Sequence, residues 1–184
     1  MLIVSGGDLV GKSTFVRHAY KRLDELGFRH MPHHLTKPPA SFDYYKGYLE
    51  LISPHTIWDR FALDCLPYRN LDEHPCTMTP MKWSLVEAAC KRAGGFQVVM
   101  YAGSSETIRK RFAEDRPGET HMYPLEHALR VNAEFRTIPS RSSYMMRGGR
   151  YRISVDAVID TDLDPIDPVI DRYIEHFRKW TELQ

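Results

Sequence analysis

The sequence has few cysteines and no long apolar run, and these absences exclude several classes of protein. Its three cysteines, Cys65, Cys76 and Cys90, form no CxxC pair, which favours free thiols over a disulfide or a zinc site. No stretch approaches the roughly 20 apolar residues of a membrane-spanning helix, and no basic flank or cleavage site precedes the first apolar run. We therefore expect a protein of the cytoplasm with no membrane partner.

The sequence also lacks a charge imbalance, internal repeats and linkers. Its net charge of +1 creates no overall field for nucleic acid or for an anionic membrane, so charged ligands must be recognised by local patches. A chain of 184 residues with 42% hydrophobic content is long enough for one substantial core and short for two. We expect residues 1–184 to form a single catalytic domain.

The most informative feature is a glycine-rich motif directly behind the apolar run 1–4. It spells GxxxxGKS and consists of Gly6, Gly7, Asp8, Leu9, Val10, Gly11, Lys12, Ser13 and Thr14. Glycines allow backbone conformations that are closed to other residues, so successive N–H groups can surround a phosphate at the positive end of the following helix. In such a loop Lys12 would reach the β- and γ-phosphates and the Ser13 hydroxyl would bind magnesium. The motif predicts ATP and Mg²⁺ as cofactors, and a glycine-rich turn with a chance GKS is the alternative.

Strand and helix patterns alternate along the whole chain. They predict an α/β protein with the three-layer P-loop NTPase fold, in which helices cover both faces of a five-stranded parallel sheet. Strands are predicted at residues 1–5, 28–35, 55–58, 97–101 and 157–160. Helices are predicted at residues 12–26, 42–51, 80–93, 106–115, 124–137 and 165–183. Ligands of such sheets gather at the carboxyl ends of the strands, so the following loops should carry the reacting groups.

Charged residues occur in two of these loops. Asp59 and Arg60 follow the third strand, where Asp59 could orient a magnesium-bound water or a substrate group while Arg60 binds a phosphate through its planar fork. A plain ion pair between them is the alternative. Asp8 lies inside the phosphate loop, where a carboxylate is costly unless it serves a sugar hydroxyl, a water or a metal-bound group; otherwise it is a solvated loop acid.

A basic segment follows the fourth strand. Arg109, Arg111 and Arg116 lie in it, just ahead of Pro117-Gly118. Phosphoryl transfer needs cations that neutralise the moving phosphate, and a mobile lid that excludes water is a common solution. We expect an arginine-rich lid over about residues 104–122, with ordinary helical surface charge as the alternative.

Together these motifs resemble the thymidylate-kinase-like group of nucleoside monophosphate kinases over nearly the whole chain. The family typically has EGxDGxGKST at the phosphate loop, and this chain keeps the glycine, the Asp and GKST. Its DRYxxSxxAYQ segment matches the frame of residues 59–69, and its Arg-Glu-Pro loop is similar to residues 36–39, with Lys37 in place of the arginine. The Asp115-Arg116 pair is similar to the DR pair of the family's lid.

The resemblance implies roles for the substrate site. Asp8 would approach the sugar, Lys37 and Arg60 would bind the acceptor phosphate, and Tyr68 would line the nucleoside pocket. Phe42 or Tyr45 would stack on the base. Asp64 and Arg69 replace the family's serine and glutamine in the nucleoside-contacting segment, and Leu9 stands where some members have a catalytic arginine, so the lid would supply that charge. The resemblance also suggests a homodimer.

The leading hypothesis is an ATP- and Mg²⁺-dependent kinase that phosphorylates a deoxynucleoside monophosphate such as dTMP. A nucleoside kinase is the first alternative. It needs a carboxylate base near the substrate hydroxyl, and the loop after the second strand offers Lys37 and no acid. Asp59 or Asp64 could still act as that base. A kinase that acts on a modified base in DNA is the second alternative, and the five arginines of segment 136–152 would then contact the DNA backbone. Otherwise this segment is a solvated loop or contacts adenine. A P-loop switch is the third, but neither Asp-x-x-Gly after Asp59 nor NKxD is present.

Overall fold

The computed structural model describes residues 1–36, 42–71, 78–114, 124–140, 143–146 and 149–184. The strands are β1 (Leu2–Gly6), β2 (Met31–His34), β3 (Thr56–Asp59), β4 (Phe96–Tyr101), β5 (Ser143–Met146), β6 (Gly149–Arg152) and β7 (Ala157–Asp160). The helices are α1 (Lys12–Glu25), α2 (Tyr44–Leu51), α3 (Cys65–Asn70), α4 (Pro80–Arg92), α5 (Ser105–Glu114), α6 (Leu125–Thr137) and α7 (Asp167–Thr181), with a 3₁₀ turn at Ala62–Asp64. None of the described helices combines the length and the apolar composition that crossing a bilayer requires.

Five of the strands form one parallel sheet in the order β2-β3-β1-β4-β7. The central strand β1 is buried along its whole length and pairs with β3 on one side and with β4 on the other, so that Leu2 lies beside Ile57 and Phe96. Successive side chains of a strand point to opposite faces, and a parallel sheet buried on both faces therefore has almost continuously apolar strands. The predicted five-stranded parallel sheet is confirmed.

Helices cover both faces of this sheet. Leu2 and Val4 pack into a core formed with α1 and α7, whereas Ile3 packs on the opposite face into a core formed with α2, α3 and α4. The amphipathic helix α7 contributes Ile170 and Phe177, among others, to the first of these cores. The alternation along β1 thus explains the three-layer arrangement.

Helix α1 ends slightly earlier than its apolar pattern suggests. Phe15, Ala19 and Leu23 lie on one face of the helix and are fully buried. Leu26, which the predicted helix 12–26 includes, is 45% exposed because the helix ends at Glu25 and Leu26 is its C-cap. Gly27 then turns the chain with a φ of 77°.

A β-hairpin and helix α3 depart from the sequence-based expectation. The solvated loop, one of the alternatives for residues 136–152, does not describe β5 and β6, which pair in antiparallel register and bury Tyr144 opposite Tyr151. Tyr151 packs edge-on against Trp83 of α4, with ring centroids 6.2 Å apart. The hairpin therefore belongs to the core, and Arg150 is on its exposed side.

Candidate active site

The phosphate loop connects β1 to α1 at the carboxyl edge of the sheet. Gly11 is the N-cap of α1 and has the left-handed φ of 84° that favours glycine. A Cβ atom at Gly6 would lie 2.4 Å from the carbonyl oxygen of Met100, so only glycine allows the loop to pack this closely against β4. The loop thereby directs the positive end of α1 towards any ligand bound there.

An open cavity of about 750 Å³ lies over this loop. It lies at the carboxyl ends of β1, β2 and β3 and is closed on one side by α5. Its lining consists of Asp8, Leu9, Gly11, Lys12, Ser13, Thr14, His34, Asp59, Arg60, Arg111 and Glu114. Residues far apart in the sequence thus converge at the carboxyl ends of the strands, where parallel α/β sheets bind their ligands.

Lys12 is buried at the floor of the cavity. Its side chain is 6% exposed, and Nζ donates a 2.5 Å hydrogen bond to the carbonyl oxygen of Gly7. Burial lowers the pKa of Lys12 and the Arg60 guanidinium lowers it further, whereas the nearby Asp59 and Asp8 raise it. The ammonium group is therefore poorly solvated and is stabilised by additional negative charge.

Ser13 and Asp59 form an oxygen-rich pair beside Lys12. Ser13 Oγ donates a 2.9 Å hydrogen bond to Asp59 Oδ2, and His34 Nδ1 lies 3.3 Å from the same oxygen. Asp59 is 4% exposed, and its other oxygen, Oδ1, is buried without a hydrogen-bond partner. Among the described residues, no group of three acidic, histidine or cysteine side chains could hold a metal alone. Hard oxygens on Ser13 and Asp59 nevertheless fit Mg²⁺, which usually takes one or two protein ligands and completes its shell with phosphates and water.

Asp8 and Arg60 line the cavity and form a second cluster with Tyr68. Arg60 pairs with Asp8 through Nη2 and Oδ1, the Tyr68 hydroxyl lies 3.5 Å from Asp8 Oδ2, and the Arg60 guanidinium lies 5.8 Å from the centroid of the Tyr68 ring. Burial alone would lower the pKa of Arg60, but Tyr68 and the neighbouring carboxylates raise it above its ordinary value. Arg60 also has a left-handed φ of 73°, a strained conformation that is common at functional sites.

The described part of the expected lid is helix α5. Arg111 reaches the phosphate loop, donating from Nη1 to the carbonyl oxygen of Leu9 at 2.9 Å and to Thr161 Oγ1 at 3.1 Å. Arg109 is exposed to solvent on the same helix, away from the cavity lining. Arg116 lies outside the described residues, so the lid itself stays a prediction.

Asp64 and Arg69, expected to contact the nucleoside, do not line the cavity. Asp64 is buried beneath the phosphate loop, and both of its oxygens accept hydrogen bonds from the protein. Arg69 points towards the hairpin and donates to the Met78 carbonyl at 3.2 Å and to the Tyr151 hydroxyl at 3.1 Å. The family resemblance places both residues in the nucleoside-contacting segment, but their contacts are internal.

The aromatic residues expected to stack on a base are engaged with other side chains. Phe42 meets Tyr44 edge-on, with ring centroids 5.2 Å apart, and Lys82 Nζ lies 5.3 Å from the centroid of the Tyr45 ring. Lys37, expected to bind the acceptor phosphate, lies outside the described residues. The roles proposed for these three residues stay predictions.

Three residues at or beside the cavity were not expected from the sequence. His34 and Glu114 line the cavity, and Thr161 accepts a hydrogen bond from Arg111. His34 ends β2 and Thr161 follows β7, so the rule that ligands bind at the carboxyl ends of strands contained the signal for both. Glu114 is the last residue of α5, and no local pattern marks it.

Comparisons with known proteins identify relatives in structure alone. No family model matches the chain, and no curated protein matches its sequence. The YorR protein from Bacillus subtilis, solved in complex with phosphorylated GDP, superimposes with a TM-score of 0.68 at 18% identity, over 95% of this chain and 93% of that one. The chain has the P-loop NTPase fold.

Two structures of deoxyadenosine kinase from M. mycoides are more distant. The one with the products dCMP and a flexible dCDP gives a TM-score of 0.49 at 16% identity, covering 97% of this chain and 98% of that one. The one with dCTP gives a TM-score of 0.46 at 15% identity, covering 95% of this chain and 100% of the other.

Proposed function

We propose that the protein is an ATP- and Mg²⁺-dependent kinase that transfers the γ-phosphoryl group to the phosphate of a nucleoside monophosphate and releases the diphosphate. The observation that carries this proposal is the presence of two cations, Lys12 and Arg60, in one cavity. Lys12 belongs to the phosphate loop, whereas Arg60 directly follows β3 and is paired with Asp8. Two separately held cations suit a site that takes a donor phosphate and an acceptor phosphate together.

The donor half would consist of the phosphate loop and the start of α1. Bound ATP would offer phosphate oxygens to Lys12 in place of the Gly7 carbonyl, and would meet the backbone N–H groups at the helix end. Ser13 and Asp59 would hold Mg²⁺, and the buried unpartnered oxygen of Asp59 supports this assignment. When bound, the metal supplies neutralisation of phosphate charge.

Catalysis by these side chains would be positioning and charge neutralisation. The acceptor phosphate is already an anion, so no side chain has to remove a proton from it. Arg60 would hold that phosphate in line with the donor, and Asp8 would orient Arg60 and approach the sugar. Arg111, with Arg109 and Arg116 in a closing lid, would neutralise the charge that develops during transfer.

A nucleoside kinase is the second candidate. It needs a carboxylate within reach of a substrate hydroxyl, and Asp8 and Asp59 both line the cavity. Asp64 is a weaker candidate base because its oxygens are already bonded beneath the loop. The ion pair with Arg60 makes Asp8 better suited to orienting a cation than to accepting a proton.

The identity of the base calls for a broad substrate panel. The family resemblance favours a dTMP-like acceptor, with Tyr68 lining the pocket and Lys37, Phe42 or Tyr45 completing it. The structural neighbour YorR was solved with phosphorylated GDP, which adds guanine nucleotides to the panel. The cytoplasmic location and the homodimer are part of the same proposal, and sedimentation analysis would test the dimer.

The decisive experiment incubates the protein with radiolabelled ATP, Mg²⁺ and a series of acceptors. The panel contains nucleosides, nucleoside monophosphates of each base with ribose or deoxyribose, and DNA with modified bases. Labelled nucleoside diphosphate is the expected product. Labelled monophosphate would instead identify a nucleoside kinase, and labelled DNA would identify a kinase that acts on a modified base in DNA. Inorganic phosphate without any labelled acceptor would exclude the kinase proposal in favour of a P-loop switch.

A further inference from the structure

Asp64 is a buried carboxylate directly beneath the phosphate loop. It is 6% exposed. Its Oδ2 accepts hydrogen bonds from Ser5 Oγ at 2.6 Å and from the backbone N–H of Phe61 at 3.0 Å. Its Oδ1 accepts from the backbone N–H of Gly6 at 3.2 Å. Three donors thus converge on one side chain that does not line the cavity.

These donors belong to the two segments that carry the cations of the site. Ser5 and Gly6 end β1 and open the phosphate loop, while Phe61 directly follows Arg60. The network continues into β4, because Gln97 Nε2 donates to Ser5 Oγ at 3.0 Å. Asp64 therefore connects the donor side of the cavity to the acceptor side through main-chain atoms.

The backbone around this connection needs external support. Arg60 has a φ of 73°, which is strained for a residue other than glycine, and its own N–H donates to the Val4 carbonyl at 2.9 Å. The Phe61 N–H on the other side of Arg60 is held by Asp64. Strained conformations persist where the surroundings over-determine them, and these two bonds fix both flanks of Arg60.

We propose that Asp64 is a positioning residue that sets the distance between the phosphate loop and Arg60, and so aligns donor and acceptor phosphates for transfer. The alignment of the two phosphates rests on the proposed kinase function, whereas the effect of Asp64 on Mg·ATP binding can be measured without any kinase activity. A carboxylate is required because all three neighbours are donors, and a carboxylate can accept from all of them.

The amide variant Asp64→Asn separates this role from simple packing. It has nearly the same shape but only one accepting oxygen, so either Gly6 N–H or Phe61 N–H must face a donor. We expect Mg·ATP to bind roughly tenfold more weakly, which corresponds to one lost buried hydrogen bond. With an active wild type, kcat should fall more than the KM for the acceptor rises, because misalignment affects transfer more than binding.

Glu87→Gln is the matched control. Glu87 is a partly buried carboxylate that accepts a hydrogen bond from the Ser154 N–H at 2.9 Å and does not line the cavity. It should keep wild-type Mg·ATP affinity and kcat, because a glutamine can still accept this hydrogen bond and the residue lies away from the cavity lining. Ser5→Ala removes one bond to Asp64 without touching the cavity, and should weaken Mg·ATP binding in the same direction as Asp64→Asn, less than additively when both are combined.

The outcomes distinguish the two proposals. A folded Asp64→Asn with wild-type affinity for Mg·ATP overturns the positioning role, whether or not any kinase activity is found. Weakened Mg·ATP binding in a protein that phosphorylates no acceptor supports the positioning role and refutes the kinase. If Asp64→Asn fails to fold, Ser5→Ala decides, since wild-type binding by that variant contradicts the role.

Discussion

The Ser13 hydroxyl donates a hydrogen bond of 2.9 Å to Asp59 Oδ2, and this bond joins the start of α1 to the end of β3. The two residues are 46 positions apart in the chain. Their contact places a hydroxyl and a carboxylate, both magnesium ligands by chemistry, next to the buried ammonium of Lys12.

Asp59→Asn should weaken the affinity of the protein for Mg²⁺ without removing the fold. An amide is a poorer partner for a metal ion or its water than a carboxylate, and changes in such partners typically cost about 10- to 100-fold in metal affinity. Titration of ATP binding with Mg²⁺ measures the effect. Asp43→Asn, a change at the exposed N-cap of α2, is the control, and unchanged Mg²⁺ affinity in Asp59→Asn would refute the assignment.

Lys12→Ala should abolish phosphoryl transfer. Removal of a preorganised cation from a transition state typically costs about 100- to 1000-fold in rate, and Lys12 is the buried cation of the phosphate loop. Steady-state kinetics with saturating acceptor measure the loss. Lys21→Ala is matched to it, because Lys21 lies exposed on the same helix beside Glu25; comparable activity in both variants would contradict the role of Lys12.

Arg60→Ala should lower the rate of phosphoryl transfer by at least about 100-fold while leaving ATP binding largely intact. Its guanidinium is paired with the Asp8 carboxylate, which we place on the acceptor side of the cavity. Arg60→Lys should restore little, because an ammonium cannot replace the planar fork. ATP titration and transfer assays separate the two effects, with exposed Arg29→Ala as control, and an equal loss of ATP binding would refute an acceptor role.

Arg111 and Arg109 should differ in the kinetic step that they affect. Arg111 contacts the Leu9 carbonyl and Thr161, so Arg111→Ala should raise the KM for ATP about tenfold as well as lower kcat. Arg109 is exposed in this structure, so Arg109→Ala should lower kcat alone, through a closed lid. Wild-type kcat in Arg109→Ala would remove Arg109 from the proposed lid.

His30 should make the protein less stable in mild acid. It is 4% exposed, its Nε2 lies 2.8 Å from the Tyr173 hydroxyl, and burial, the nearby N-terminal ammonium and His55 lower its pKa to about 4. Between the ordinary histidine pKa of about 6.5 and pH 4 the unfolded chain binds a proton that the folded protein does not, so the free energy of unfolding falls as pH falls. The full effect of His30 is about 3 kcal/mol.

Urea unfolding at several pH values between 7.5 and 4.5 measures this effect. His30→Gln should show a shallower fall in stability with acid than the wild type, whatever its stability at neutral pH. His18→Gln changes an exposed histidine on α1 and should keep the wild-type slope. Parallel slopes for His30→Gln and the wild type would show that His30 does not titrate as expected.

The phosphate loop and the parallel sheet could be predicted from local sequence patterns. GxxxxGKS is contiguous, so the conformation that it requires is specified by neighbours in the chain, and the apolar strands show the burial of both faces locally. Because ligands bind at the carboxyl ends of parallel strands, Asp59 and Arg60 could be predicted as site residues before their contacts were known. These features depend on local pattern and on the general geometry of parallel sheets.

The contact partners of these charged groups could not be predicted in this way. Asp64 meets Gly6 across 58 residues and Arg60 meets Asp8 across 52, and no local pattern fixes pairings at such separations. Asp64 can be buried because hydrogen-bond donors from the end of β1 and from Phe61 surround its carboxylate. Those donors come together only when the segments that carry them are packed. Arg69 was likewise assigned to the nucleoside by its position in a motif, but it contacts the hairpin that contains Tyr151, which the sequence did not indicate. A motif specifies which residue types are available, while packing decides which of them remain open to a ligand.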